Sequence, residues 1–311
     1  MSSSLARCRA YTLLGDLFRQ GLTPASAAAW SAVPLARGAL ADLPLDQAAE
    51  VHTRVMLLDL PWRASAWLSA DGTVGGPAVD DAIILTVRCG RAPGPEPDSL
   101  AAQLGTLAFL TGAVLDAETD GTRVPAVQDL ERDALDALLA WLPGAVSALR
   151  QAGEPAPLYE LAAELALDLA LSHRATLRPL PTAPTLPPLP PLLDLPDTGL
   201  RTIAESLAVP ALAGGAFARS TLVGLAREYE IPAGFGSRAD LIEGLLRSAA
   251  HYGRLPELFG ALDAVAADWA LSWRSLNGPL APLAAPWQTR IAATRAVFAR
   301  LADAHRPAEV D

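Results

Sequence analysis

The sequence predicts an all-α fold, on three observations. Leu and Ala dominate an apolar content of 51%, and both are strong helix formers. Aromatic residues make up only 5% and β-branched runs are rare, so the usual material of strands is scarce. Along most of the chain, apolar residues recur at intervals of three and four, the repeat of one helix face. The 311 residues suffice for one large or two ordinary domains. We divide them into a helical bundle over 1–178, a proline-rich connector over 179–196 and a second helical unit over 197–311.

The first helix is expected over 4–19, with Leu5, Tyr11, Leu14, Leu17 and Phe18 around one face and Gly21 as its stop. Two short helices follow, near 25–30 and 45–57. Pro61, Gly72, Gly75, Gly76 and Pro77 break helical rhythm, so 59–77 reads as an ordered loop. A helix over 79–90 and a loop over 91–97 come next. Asp98 or Ser99 can then cap a helix striped with Leu100, Leu104, Leu107, Leu110, Val114 and Leu115. A helix over 129–142 carries Leu130, Leu135, Leu138, Leu139 and Leu142, and Pro143-Gly144 punctuates it. Over 158–173, Leu158, Leu161, Leu165 and Leu169 share one face, while Glu160, Glu164 and Asp168 form an acidic row on another. That row reads as a solvated face. The alternative, a metal site, lacks the Glu-x-x-His partner that a bundle site uses.

Residues 179–196 hold eight prolines. Proline lacks a backbone donor and fixes φ, so the segment is expected as an extended strap. Its Leu180, Leu186, Leu189, Leu192, Leu193 and Leu195 are too apolar for a solvated tether and are expected to pack on the body; a proline-rich ligand for a partner domain is the alternative. Helices resume after Leu200. Helices over 217–230 and 238–252 flank the loop 231–237, with Ser237 as a cap. A long amphipathic stretch over 255–277 carries Leu258, Leu262, Val265, Trp269 and Trp273, and a last helix over 285–304 carries Trp287, Ile291, Phe298 and Leu301.

Net charge is −10 and uneven. Residues 1–196 hold 22 acids against 13 arginines, net −9, whereas residues 197–311 are close to balanced. All basic residues are arginine. An acidic body repels a phosphate backbone, which argues against nucleic-acid binding by the first part, and it attracts a basic partner. The cysteines, Cys8 and Cys89, form no metal or redox motif, which fits a reducing compartment. The N-terminus lacks the apolar run of a signal peptide, and no uncharged apolar run of about 18 residues suggests a spanning helix. The expected location is the cytoplasm. No G-x-S-x-G elbow, Walker A or zinc motif is present, so neither catalysis nor a cofactor or metal is expected.

Binding remains, and here four ordered segments are informative. Tyr11-Thr12-Leu13-Leu14-Gly15-Asp16-Leu17-Phe18 opens the chain. The run Leu60-Pro61-Trp62-Arg63-Ala64-Ser65-Ala66-Trp67-Leu68-Ser69-Ala70-Asp71-Gly72 leads into a glycine-rich turn. Pro97-Asp98-Ser99-Leu100 starts a leucine-rich helix, and Ala137-Leu138-Leu139-Ala140-Trp141-Leu142-Pro143 precedes a helix bearing Tyr159. Together, over about 5–175, they resemble the TorD/DmsD/NarJ family of chaperones for molybdenum-containing redox enzymes. The resemblance implies a TorD-like helical bundle that binds a client redox enzyme, through its twin-arginine signal peptide or its apo form. It implies candidate peptide contacts at Trp62, Arg63, Trp67, Asp98, Ser99 and Trp141. The tryptophans would offer an apolar wall and Asp98 would receive an arginine; the alternative is that the tryptophans are core and Asp98 a helix cap. Ser99 stands where the family usually has His, and Ala64 where an acid is common, so the client chemistry is expected to differ.

The resemblance does not reach 200–311. There, 222–247 resembles SAP-like helix–loop–helix modules, which often bind DNA. Arg227, Arg238 and Arg247 are offset by Glu228, Glu230, Asp240 and Glu243, so a helical interaction module or a packing extension is the favoured reading. A general interaction scaffold without client binding is the rival to the chaperone reading.

Overall fold

In a computed structural model, residues 3–120, 124–194 and 198–305 are described. The fold is all-α. Among the described residues the one β-type pairing is an isolated antiparallel bridge between Arg63 and Ser99. The chain divides into two compact units. The first comprises 1–66, 73–146 and 156–182, and the second 67–72, 147–155 and 183–311.

The first unit begins with α1 (Ser3–Gln20), which buries Tyr11, Leu14, Leu17 and Phe18 and ends at Gly21. A capping box formed by Thr23 and Ser26 opens α2 (Pro24–Ser31). Then come α3 (Arg37–Ala41) and α4 (Leu45–Thr53), which continues as a wider π-wound turn over Arg54–Asp59. The expected loop 59–77 contains a short helix, α5 (Ala64–Leu68), and is followed by α6 (Pro77–Arg88).

The centre of this unit is α7 (Leu100–Asp120), packed along α1 and against α8 (Val124–Leu139). An 18-residue window of α7 has a mean hydropathy of 1.4, and by length and composition alone the helix could cross a membrane. Yet 61% of that window is buried by the protein, as suits a core helix. A helix break does lie beside Pro143-Gly144, since α8 ends at Leu139, but Pro143 itself is helical. It lies in the first turn of α9 (Leu142–Arg150), where a missing N–H leaves no bond unmade.

In α10 (Pro157–Arg174) the buried face is Tyr159, Ala162, Ala163, Ala166 and Ala170, while Leu161, Leu165 and Leu169 are only half-buried. Small side chains let α10 lie close to its neighbours α1 and α8. Of the acidic row, Glu160 accepts the Ala156 N–H at the helix start (2.8 Å), which satisfies one of the unpaired donors there.

The proline-rich segment is shared between the units. Leu186, Leu189, Leu192 and Leu193 are half-buried, not buried, and Leu180 is 48% exposed. Leu195 and Pro196 lie outside the described residues. Backbone carbonyls do much of the anchoring. In the first unit the buried Arg174 pairs with Asp136 (2.6 Å) and donates to the carbonyls of Leu177 and Pro179. In the second, Arg290 donates to the carbonyls of Pro187 and Ala211. A segment with few N–H groups leaves its carbonyls to be met by side chains.

The second unit contains α11 (Leu200–Ala208), α12 (Pro210–Ala213), α13 (Arg219–Glu228), α14 (Arg238–His251), α15 (Leu255–Arg274) and α16 (Ala281–Ala304). α15 and α16 pack as a pair around Trp269, Trp273, Trp287 and Phe298, and the rings of Trp273 and Trp287 stack at 5.2 Å. Gly215 lies so close to Trp269 that a Cβ there would stand 2.3 Å from the indole.

Candidate functional site

Two of the motif segments meet in the first unit. Leu100 N–H donates to the Trp62 carbonyl (3.0 Å) and Ala64 N–H to the Asp98 carbonyl (3.0 Å), flanking the Arg63–Ser99 bridge. Asp98 Oδ2 accepts from the Ser65 N–H (3.0 Å) and the Ser65 hydroxyl (2.6 Å). The Trp62 indole N–H donates to the Val55 carbonyl inside the π-wound turn (2.8 Å). Residues distant in sequence thereby form one braced wall.

That wall borders an open groove of about 700 Å³, lined wholly by residues of the first unit. This volume suits a small ligand or a stretch of peptide. Its apolar lining includes Phe18, Met56, Leu57, Leu60 and Trp62, with Pro61, Pro95 and Pro97 alongside. Phe18 and Trp62 approach at 5.7 Å between ring centroids. Leu57 is 72% exposed, an apolar side chain held in solvent beside the groove. The charged lining is Arg19, Arg63, Arg91 and Glu96. Arg63 pairs with Glu96, so the lining carries a positive excess in a chain of net −10.

His52 also lines the groove, its Nδ1 3.0 Å from the Tyr159 hydroxyl. The Leu22 backbone also bonds the Tyr159 hydroxyl. Burial pushes the imidazole below the usual histidine range and the phenol well above its usual one.

The six residues proposed from sequence divide sharply. Trp62, Arg63 and Ser99 line the groove. The Ser99 hydroxyl also caps α7 by accepting the Ala102 N–H (3.3 Å). Asp98, Trp67 and Trp141 do not line it, which corrects their assignment as peptide contacts. Asp98 is 1% exposed and committed to Ser65 through Oδ2, while Oδ1 is buried without a hydrogen-bond partner. It neither caps α7 nor faces an incoming arginine. Trp67 belongs to the second unit and packs edge-on against Trp287. Trp141 is wholly buried, and its indole N–H donates to Gln103 Oε1 (3.1 Å).

Sequence reading missed Phe18, Met56, Leu57, Arg19 and Arg91 as groove residues. Their signal was weak: an exposed leucine and two arginines have no motif around them. It also missed a buried polar cluster, in which Tyr11 Oη lies 3.1 Å from His173 Nδ1 and His173 Nε2 lies 3.6 Å from Glu131. All three are closed to solvent, and burial pushes the Tyr11 hydroxyl far up, so the cluster reads as a core tie. Burial likewise raises the Cys89 thiol, away from reactive thiolate. Around the module resembling SAP, Arg247 pairs with Glu243, and Arg201 with Glu205, Asp240 and Glu243.

No protein-family model, curated protein or solved structure matches this chain.

Proposed function

We propose that the chain is a client-binding chaperone that assists maturation of a molybdenum-containing redox enzyme. It holds an apolar segment of the client's signal peptide or apo form in the groove of the first unit. The observation that carries this reading is the joining of two family-like segments, Leu60–Ser65 and Pro97–Leu100, into one wall of an open apolar groove. Binding and release require no bond chemistry, so no catalytic group or cofactor is part of this reading. Its place is the cytoplasm, where an apo client is held before it is complete.

The test is a titration of the full-length protein with apolar signal-peptide segments from redox enzymes of the same genome, together with purification from native extract. Binding at micromolar concentration, or a co-purifying reductase, is expected. Leu57→Asp should abolish binding by placing a charge in the apolar lining. Leu58→Asp, at an exposed neighbour that does not line the groove, should not. Absence of binding to every segment, with no co-purified reductase, would sink the reading. It would favour a scaffold without client binding, to which the burial of Trp62, Trp67 and Trp141 already lends weight.

A further inference from the structure

Two arginines from distant parts of the chain converge on one glycine at the groove. Arg91 Nη1 donates to the Gly105 carbonyl (3.2 Å), and its guanidinium lies over the Phe109 ring, 5.2 Å from the centroid. Arg19 Nη2 crosses the same glycine, 3.1 Å from where a Cβ would stand. Both side chains line the groove. Arg63, Arg88, Arg132 and Arg174 in the same unit all have acidic partners. Arg19 and Arg91 form no ion pair with any described acid. Two like charges held near one point repel each other, and an anion between them reverses that term. Each guanidinium carries five N–H donors, of which the Gly105 carbonyl takes one from Arg91. Stacking on Phe109 fixes Arg91 in place before any ligand arrives, so little side-chain freedom remains to be lost on binding.

We propose that Arg19 and Arg91 form a carboxylate-binding position, and that the groove takes an apolar client segment carrying an Asp or Glu side chain. This rests on the client-binding reading above and specifies which segment is bound. A segment held inside a longer client presents its carboxylate from a side chain, not from a chain end. The same charges disfavour an arginine pair, so the bound stretch is apolar and acidic, unlike the basic end of a twin-arginine signal.

The experiment is fluorescence anisotropy on the full-length protein with labelled, C-terminally amidated peptides of one apolar sequence, bearing Glu, Gln or Arg at one central position. A further peptide has Gln there and a free C-terminal carboxylate. The Glu peptide should bind about tenfold more tightly than the Gln peptide, as a charge-assisted, two-arginine contact warrants, and the Arg peptide should bind most weakly. In Arg19→Gln/Arg91→Gln, with native far-UV dichroism and melting, the Glu and Gln peptides should bind alike at the original Gln affinity. Equal Glu and Gln binding to the unmodified protein, or preference for Arg, overturns the carboxylate position while leaving the client-binding reading intact. Tightest binding by the free-carboxylate peptide overturns the side-chain source. No binding by any peptide overturns the carboxylate position, while the client-binding reading falls only with the wider titration and purification above.

Discussion

Asp98 shows how a single side chain joins two segments. It is buried with one carboxylate oxygen serving both the N–H and the hydroxyl of Ser65, itself fully buried. Asp98→Ala leaves the Ser65 N–H without an acceptor, and loss of such charge-assisted bonds costs about 2 kcal/mol. Urea unfolding should show that loss, and Asp98→Asn, whose amide oxygen still accepts, should lose less. Sequence offered Asp98 as a cap or as a receiver of arginine because both roles are local or outward. Its actual partner is a serine 33 residues away, and no spacing rule connects them.

His52 makes a second residue-scale prediction. Its folded-state pKa is depressed by burial, so the unfolded chain binds the proton first as pH falls. The neutral imidazole's contribution is present above the ordinary value of about 6.5 and is lost as pH drops below it. His52→Gln should flatten the acid limb of stability below the ordinary histidine value of about 6.5. An unchanged limb in the melting-temperature profile would show that His52 does not titrate with folding.

At the scale of elements, what lies within one helical turn was legible and what depends on neighbours was not. Ser237 was readable as a cap, and it forms a capping box at the start of α14: its hydroxyl accepts the Asp240 N–H while Asp240 Oδ2 accepts the Ser237 N–H. Bonds from Ser237 and then Arg201 hold the Asp240 carboxyl down at about 2. Ser237→Ala should destabilise the second unit by about 1 kcal/mol. In the same variant, NMR titration should show the Asp240 pKa rising toward the ordinary carboxylate value. Asp240's stabilising effect is present above its unfolded pKa and is lost as pH falls toward 2. By contrast, the inward face of α10 does not follow its leucine stripe, of which Leu158 alone is buried. A leucine stripe is the stronger sequence signal, yet close approach by its neighbours favours Ala162, Ala163 and Ala166. Pro143 was read as a break because proline ends most helices, and whether it ends one or starts the next depends on the carbonyls behind it.

At the scale of the whole molecule, all-α character was plain from composition and period, whereas the partition of the chain was not. The second unit takes in 67–72 and 147–155, short stretches embedded in the sequence of the first. Trp67 sits five residues after Trp62, and the two were read together as one apolar wall. Trp62 contributes to the groove, but Trp67 packs on Trp287, 220 positions later, a pairing that no local pattern reveals. A fragment of residues 1–182 therefore keeps Trp67 and loses the ring that covers it. An indole moved from a packed interior to water emits at longer wavelength, and the apolar surface left with it binds hydrophobic dyes. The fragment should show a red-shifted component and dye binding absent from the full chain. Trp67→Phe in the fragment should remove the red-shifted component, which ties the signal to this residue and not to Trp30, Trp62 or Trp141. A fragment that melts cooperatively at the full chain's temperature with unshifted emission would mean that Trp67 finds its cover within the first 182 residues, and that the packing of Trp67 on Trp287 is not what shields it.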